Sequence, residues 1–533
     1  MQTYDFIIVG AGSAGGALAH RLSENGKHSV LLLEAGRSSH LYSPVPVGFA
    51  KLIDNPAANW CYEAEPESAM ADRALPVPRG KLLGGSSSIN GLVFVRGQAL
   101  DYDTWAQLGN RGWSYADVLP TFRRMEHYEQ GGGADGLRGA GGPLRVREVP
   151  DQNPLYDALF SAGEQVGLPR NADYNGADQT GMCKTQTTIS KGRRMSTAHC
   201  YLRPARRRTN LNVQSGALAE RLIFEGKRCV GVRYRQGDAV NEARAHNEVV
   251  LCGGAVNSPQ LLELSGIGRP DVLKAHGIEV LHALEGVGEG LRDHLSPRMG
   301  WTLQPKGASF NERARGLGLA REMLRYAVTG EGFLSLPSAP VLAFLKTREG
   351  LETPDVQVHF MPYTYNSKRK LHALPGMTVV LYQMRPESLG SIHIHSSNPQ
   401  TPPSIRFNFL SNELDRRTTI DAIHWTRKIV NASAMDGLRG KEFKPGTDVT
   451  SDDEILDWVR RTAETAYHPV GTCKMGSDAN SVVDERLRVH GLDGLRIADA
   501  SIMPTLVSGN TNGACIMIGE RCSDFILEGA AAA

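Results

Sequence analysis

The chain is poor in cysteine: eight residues in 533, with no C-x-x-C pair among them. That scarcity argues against a zinc site or a disulfide framework and fits a reducing compartment. An excess of one charge is also missing, since 59 Lys and Arg against 57 Asp and Glu leave a formal net charge of +2. Such a balance gives no overall field to gather nucleic acid or an anionic membrane. The one dense basic run, "RPARRRTN" from Arg203 to Asn210, has no aromatic residue interleaved and reads as a solvated loop. No apolar run is long enough to span a bilayer, and the opening "MQTYDFIIVGAGSAG" has no basic leader. The expectation is a cytoplasmic protein whose membrane contact is at most peripheral, without a nucleic-acid partner.

What is present describes an ordinary globular protein, 41% hydrophobic and 22% charged. Its length exceeds what one simple core holds, so two or more domains, interleaved or consecutive, are expected. No solenoid-like repeat is visible.

The first 34 residues carry the clearest pattern. Phe6 to Val9 form a short β-favouring run, Gly10, Gly12 and Gly15 make G-x-G-x-x-G, and a helical pattern with Ala14, Ala17, Leu18 and Leu22 on one face follows, stopped near Gly26. The glycines permit a tight turn, close approach of backbone to pyrophosphate, and close strand–helix packing. The helix start then offers free N–H groups to phosphate. A second apolar run, Val30 to Leu33, ends in Glu34, where a ribose-binding carboxylate belongs and a 2′-phosphate would be repelled. A dinucleotide site follows, with FAD and NAD both open at this point.

Further along lie "RGKLLGGSSSINGLVFVRG" (Arg79 to Gly97), "GAVNSPQLLELSGIG" (Gly254 to Gly268), "GVGEGLRDHL" (Gly286 to Leu295) and "AYHPVGTCKMG" (Ala466 to Gly476). The second reads as a helix, Pro259 to Leu264, after a strand, Val249 to Cys252. "LRIADA" reads as a strand ending in Asp499, placed to bind a ribityl or pyrophosphate hydroxyl, and Ala514 to Leu527 as a helix whose start near Asn512 carries partial positive charge. "DVQVHFMPY" (Asp355 to Tyr363) and "GSIHIHS" (Gly390 to Ser396) suit antiparallel strands with one covered face. His393 and His395 share a face there, but without a third ligand a structural or solvated role is expected rather than metal. "GGGADGLRGAGG" (Gly131 to Gly142) reads as a flexible surface loop. Ser451 and Glu454 form a capping box for a helix with Ile455, Trp458 and Val459 on one face. Pro469 should end that helix at or just before His468, leaving the imidazole on a loop.

Taken in this order, the motifs resemble the glucose–methanol–choline (GMC) family of FAD-dependent oxidoreductases over nearly the whole chain. The stretch least like the family lies between about Pro297 and Asp452, where substrate choice would be written. The resemblance implies an α/β fold: a Rossmann-type FAD-binding domain from 1–149, 192–296 and 466–533, with an interleaved α+β substrate domain on an antiparallel sheet from 150–191 and 297–465. It implies FAD held by Gly10, Gly12, Ser13, Ala14, Gly15, Glu34, Ala35, Trp60, Gly84, Gly85, Asn90, Gly91, Leu92, Val93, Ala219, Asp499, Ala500, Asn510 and Thr511. It also implies alcohol oxidation, with His468 taking the hydroxyl proton at an ordinary pKa of ~6.5, hydride passing to flavin N5, and Asn512 holding the alcohol oxygen. Electrons would leave to oxygen, a quinone or another acceptor.

Two departures sharpen the expectation. Covalently flavinylated relatives carry a histidine just before the loop asparagine; here Ile89 precedes Asn90, so FAD should be non-covalent. Choline-oxidising members carry a glutamate two residues after the Asp-His pair, whereas Asp293-His294 is followed by Leu295 and Ser296. An uncharged, primary alcohol is therefore expected. The alternative is a hydroxynitrile lyase-like enzyme of the same fold; a photodecarboxylase and a non-enzymatic flavin carrier fit less well.

Overall fold

A computed structural model describes residues 2–131, 136–305, 307–366 and 370–532. Its two principal sheets explain why the chain must be interleaved. The first, of seven strands, runs in the order Leu211–Ser215, Val30–Glu34, Gln2–Val9, Ala239–Leu251, Arg228–Gln236, Ala217–Glu225, with Leu495–Ile497 parallel to the end of Ala239–Leu251. Its central strands are fully buried apolar runs, Ile7, Ile8, Leu31 and Leu32 among them, as a parallel sheet covered on both faces requires. The second sheet is antiparallel and six-stranded: Arg439–Lys444, Arg298–Leu303, Gly376–Gln383, Val356–Met361, Val341–Leu345, Gly181–Lys184.

The expected one-sided burial does not hold for Val356–Met361. All six of its residues are buried, because the strand is central and helix Glu413–Val430 packs over its sheet. The helix expected over Pro259 to Leu264 begins earlier, at Gly254. Pro259 thus sits inside it and cannot donate to the carbonyl of Ala255. Thr472 Oγ1 donates to that carbonyl instead, at 2.7 Å. The helix before His468 has its capping box and its buried Ile455, Trp458 and Val459. It stops at Thr462 rather than beside His468, since Glu464–Thr465 pair with Leu295–Ser296 as a short antiparallel ladder.

Two surface expectations change. The described part of the glycine-rich stretch is no loose loop: Arg138 is buried, bonded to Glu126 at 2.9 Å and to Asp173 at 2.7 Å, while 132–135 lie outside the described residues. The basic run opens as a short helix, Arg203–Ala205, and Arg208 donates to Ser23 Oγ at 2.9 Å. His393 lies between Glu263, 2.7 Å away, and Glu289, 3.2 Å away, whereas His395 is exposed near Glu65. Among the described residues no group of three or more His, Cys, Asp or Glu is placed to hold a metal, and no helix is long and apolar enough to cross a membrane.

Candidate active site

Two helix starts meet just past the end of strand Gln2–Val9. The helix Ser13–Leu22 follows Gly12, which caps it with no side chain, so its first N–H groups remain available. The helix Asn512–Ala532 packs against it so closely that a Cβ on Gly519 would lie 2.3 Å from the carbonyl oxygen of Ala14. Ser13 Oγ donates to Asn512 Oδ1 at 2.8 Å, linking the two starts. Both helix dipoles direct positive potential into the same space.

That space is a cleft of about 160 Å³, bordered by Gly10, Gly12, Ser13, Ala14, Glu34, Ala35, Trp60, Gly85, Ala219, Asp499 and Ala500. A Cβ on Gly12 would meet nothing within 4 Å, so only the missing side chain keeps this wall open. Glu34 is buried, and Ala11 N–H and Gly36 N–H donate to its carboxylate at 3.1 and 2.8 Å. Burial pushes it up to about 7. Trp60 stacks on Tyr62, ring centroids 5.6 Å apart.

A second cavity, of about 250 Å³, shares Ser13, Arg79, Ser86, Ala500 and Cys515 with the first. Asn90, Gly91, Leu92, Val93, Asn510, Thr511 and Asn512 border it, as does His468. Two adjoining chambers with shared walls suit one elongated dinucleotide, and the donor set fits FAD: free helix N–H groups for pyrophosphate, a carboxylate for ribose, and a helix start for the flavin's anionic edge.

Three residues expected at the cofactor also have roles in holding the fold. Gly15 and Gly84 border neither cavity. A Cβ on Gly15 would lie 2.0 Å from the oxygen of Gly10, so this glycine serves strand–helix packing. Gly84 has φ +87°, and its Cβ would meet Ser88 Oγ at 2.3 Å. Asp499 spends its carboxylate on the chain itself, accepting from Gly254 N–H at 2.8 Å, Ser258 Oγ at 2.6 Å and Ser501 N–H at 2.8 Å. It thereby anchors the start of helix Gly254–Leu264 while still bordering the cleft.

The expected partner of His468 is corrected. Asn510 Nδ2, not Asn512, lies 3.2 Å from His468 Nε2. Asn512 opens the last helix and turns to Ser13, whereas Asn510, two residues earlier, is still on the loop facing the imidazole.

His468 is held from behind. Tyr467 has φ +68°, which turns the chain so that His468 N–H donates to Asp293 Oδ1 at 2.8 Å. The same oxygen accepts from His294 N–H at 2.7 Å, so one carboxylate clasps both histidine backbones. His294 Nδ1 lies 3.0 Å from His468 Nδ1, and His294 Nε2 lies 2.8 Å from the carbonyl oxygen of Met384.

These contacts define the proton positions. A carbonyl only accepts, so His294 Nε2 carries the proton and, in the neutral ring, its Nδ1 accepts. His468 Nδ1 must then be the donor, which leaves the Nε2 lone pair toward the cavity. The chain continues in the same sense beyond Asn510. Gln357 Nε2 donates to Asn510 Oδ1 at 3.3 Å, Tyr382 donates to Gln357 Oε1 at 2.6 Å, and His359 Nε2 is 3.2 Å from the Tyr382 hydroxyl. Every donor in this series has one acceptor, and the series ends on a backbone carbonyl.

Burial keeps all three imidazoles neutral. His468 is driven well below the ordinary histidine value by loss of water, and His294, Arg79 and His359 add to this. Burial takes His294 to about 4 and His359 to about 3. The expected ordinary pKa for His468 is thus replaced by a lowered one.

None of Asp293, His294, Gln357, Tyr382 and His359 stood out as a partner of His468 in the sequence. The Asp293-His294 pair was visible only as part of a motif, and the strand residues gave no signal, because their convergence depends on the second sheet packing against the first.

The GMC oxidoreductase family models match residues 4–296 with the N-terminal region and 386–519 with the C-terminal region. The oxygen-dependent choline dehydrogenase of Photobacterium profundum is 42% identical, covering 98% of this chain and 93% of its own. That of Brucella suis biovar 1 is 43% identical, covering 98% and 95%. Among solved structures, pyridoxine 4-oxidase from "Mesorbium loti" has TM-score 0.89 at 30% identity, covering 98% of this chain and 99% of that one. A formate oxidase, at 24% identity and TM-score 0.93 over 100% and 99% of the two chains, shows the same fold.

Proposed function

This chain belongs to the GMC oxidoreductases, flavin-dependent enzymes acting on CH–OH donors, and on that premise we propose that it oxidises an uncharged primary alcohol to the aldehyde. The observation that carries the reading is the His468–Asn510 pair at 3.2 Å, with the His468 Nε2 lone pair turned to the cavity. An alcohol oxygen entering between them accepts from Asn510 Nδ2 and donates to His468 Nε2. His468 Nε2 takes the hydroxyl proton as the C–H bond of the carbinol carbon breaks, and Asn510 stays hydrogen-bonded to the oxygen as charge develops there. Bound FAD supplies the two-electron acceptor for the departing hydride. His294 accepts from His468 Nδ1 throughout, which supports the imidazolium as it forms.

The wall of the cavity supports an uncharged substrate over choline. Ser296 stands where the resemblance places a glutamate in choline oxidisers, and Arg298 is close by. Glu464 is 2.8 Å from the Arg298 guanidinium and already ion-paired with it. A quaternary ammonium would gain no counter-charge there.

FAD is held without a covalent bond, since Ile89, the residue bordering the cavity before Asn90, is aliphatic. Acid precipitation should leave the yellow colour in the supernatant.

The experiment is anaerobic stopped-flow bleaching of the flavin by a panel of alcohols with choline included. Bleaching by neutral primary alcohols, with choline much slower, is the expected outcome. Absence of bleaching with every alcohol, alongside cleavage of a cyanohydrin, would favour the lyase reading.

A further inference from the structure

The helix Gly316–Thr329 is amphipathic in the inverted sense. Leu317, Met323, Leu324 and Val328 are 91, 56, 67 and 76% exposed, and Ala320 and Ala327 are exposed beside them. The positions 317, 320, 324, 327 and 328 follow i, i+3, i+7, i+10, i+11, so they form one continuous stripe. Facing the body of the protein are Glu322, which is buried and accepts from Phe333 N–H at 3.0 Å, and Tyr326, whose hydroxyl donates to the carbonyl of Gly192 at 2.8 Å. A surface helix ordinarily buries its apolar face; this one shows it to the outside.

The exposed apolar surface is concentrated. Seven of the twelve large apolar side chains exposed among the described residues lie on three segments: Leu41 and Tyr42, the four on this helix, and Leu374. Each segment leads into the walls of the active-site cavity. Leu41 and Tyr42 precede the turn Pro46–Gly48 and the cavity residues Phe49 and Ile53. The helix runs into the turn Phe333–Ser335, which packs on Pro46–Gly48, and then to the cavity residue Ser338. Leu374 follows the cavity residue Tyr365, and Arg315 donates to the carbonyl of Leu371 at 2.6 Å, tying this segment to the start of the helix.

The charge along this helix is predominantly basic, although Glu331 lies 3.9 Å from Arg325. Arg313, Arg315, Arg321 and Arg325 occur within thirteen residues, while Glu312 is used in a capping box and Glu322 points inward. Arg321 and Arg325, one turn apart, flank the edge that carries Leu317 and Val328. Leucines on one arc with arginines at its border are the arrangement of a helix lying in a lipid interface. A second copy meeting the same stripe antiparallel, about a two-fold axis across the helix, would set these arginines against each other.

We propose that the helix Gly316–Thr329 docks the protein on an anionic lipid surface, with the apolar stripe at the acyl boundary and the arginines among the headgroups. The cavity mouth then faces a lipid phase, from which a lipophilic substrate or electron acceptor enters. The docking does not depend on the proposed reaction, and its test reads binding alone.

The flavin-loaded protein is sedimented with vesicles of phosphatidylcholine, with and without phosphatidylglycerol, at low and high salt. Binding should require phosphatidylglycerol and weaken with salt. Replacing three apolar contacts (Leu317→Ser, Leu324→Ser, Val328→Ser) should lower the partition coefficient by at least about tenfold, with flavin content unchanged. The pair Arg321→Gln and Arg325→Gln should remove the preference for phosphatidylglycerol. Equal binding by wild type and the triple variant would overturn the proposal. So would a failure to bind vesicles accompanied by a concentration-dependent dimer that the triple variant abolishes, which would assign the stripe to a second copy.

Discussion

The Nδ1 atoms of His294 and His468 lie 3.0 Å apart, and His294 is committed on its other nitrogen to the carbonyl of Met384. His294 is therefore a positioning residue that selects the tautomer of the base. His294→Leu should retain flavin yet slow flavin reduction on the order of 10²-fold, within the 10²–10⁴ a positioned base contributes. The loss should fall on kcat more than KM. His294→Gln, whose carbonyl can accept from His468 Nδ1, should recover much of the rate. Equal damage from both substitutions would mean that only packing is involved.

The lowered pKa of His468 sets the pH dependence. A neutral base persists down to well below the ordinary histidine range, so flavin reduction in the wild type should be flat from pH 8 to about 6.5, with any ascending limb on the acid side. His468→Ala should lower the rate by about 10²–10⁴-fold and abolish that limb. A wild-type limb centred at the ordinary histidine value would contradict the burial described here.

Asn510 and Asn512 should separate cleanly. Asn510→Ala removes a donor to the alcohol oxygen and should slow reduction by about 10²-fold or more with flavin content kept. Asn512→Ala breaks the bond to Ser13 between the two helix starts, so its first effect should be weaker flavin retention. The readouts are flavin-to-protein absorbance ratio and stopped-flow rate for each variant.

At Gly12 the structure predicts loss of cofactor without loss of fold. A Cβ there meets no protein atom within 4 Å, so Gly12→Val should fold while its side chain projects into the cleft. Circular dichroism should match the wild type and flavin should be absent. Gly15→Val, whose Cβ would sit 2.0 Å from Gly10 O, should not fold normally.

His393 supplies a stability prediction. Glu263 and Glu289 raise it to about 9 against the loss of water that opposes its charge. A raised histidine adds stability that is fully present below its unfolded value and lost as pH rises from there through about 9. His393→Gln should cost about 2–3 kcal/mol at pH 7, a gap that closes as pH rises from there through about 9. Urea denaturation across that range measures it.

The sequence by itself determined those features that depend on neighbours along the chain. The strand over Phe6 to Val9, the turn at Gly10, the helix after it and the acid at Glu34 follow from β-favouring residues, glycines and a helical period within one stretch. The capping box at Ser451 and Glu454 is equally local. Tertiary structure decided what depends on distant segments meeting. Asn510 and Asn512 are chemically identical and two residues apart; the onset of the last helix alone turns one to His468 and the other to Ser13. Gln357, Tyr382 and Met384 complete the hydrogen-bond series because the antiparallel sheet carries them to the edge of the dinucleotide domain. The lowered pKa of His468 likewise comes from exclusion of water by that meeting. Periodicity in the chain records which face is buried, but not which buried groups from different elements will share a proton.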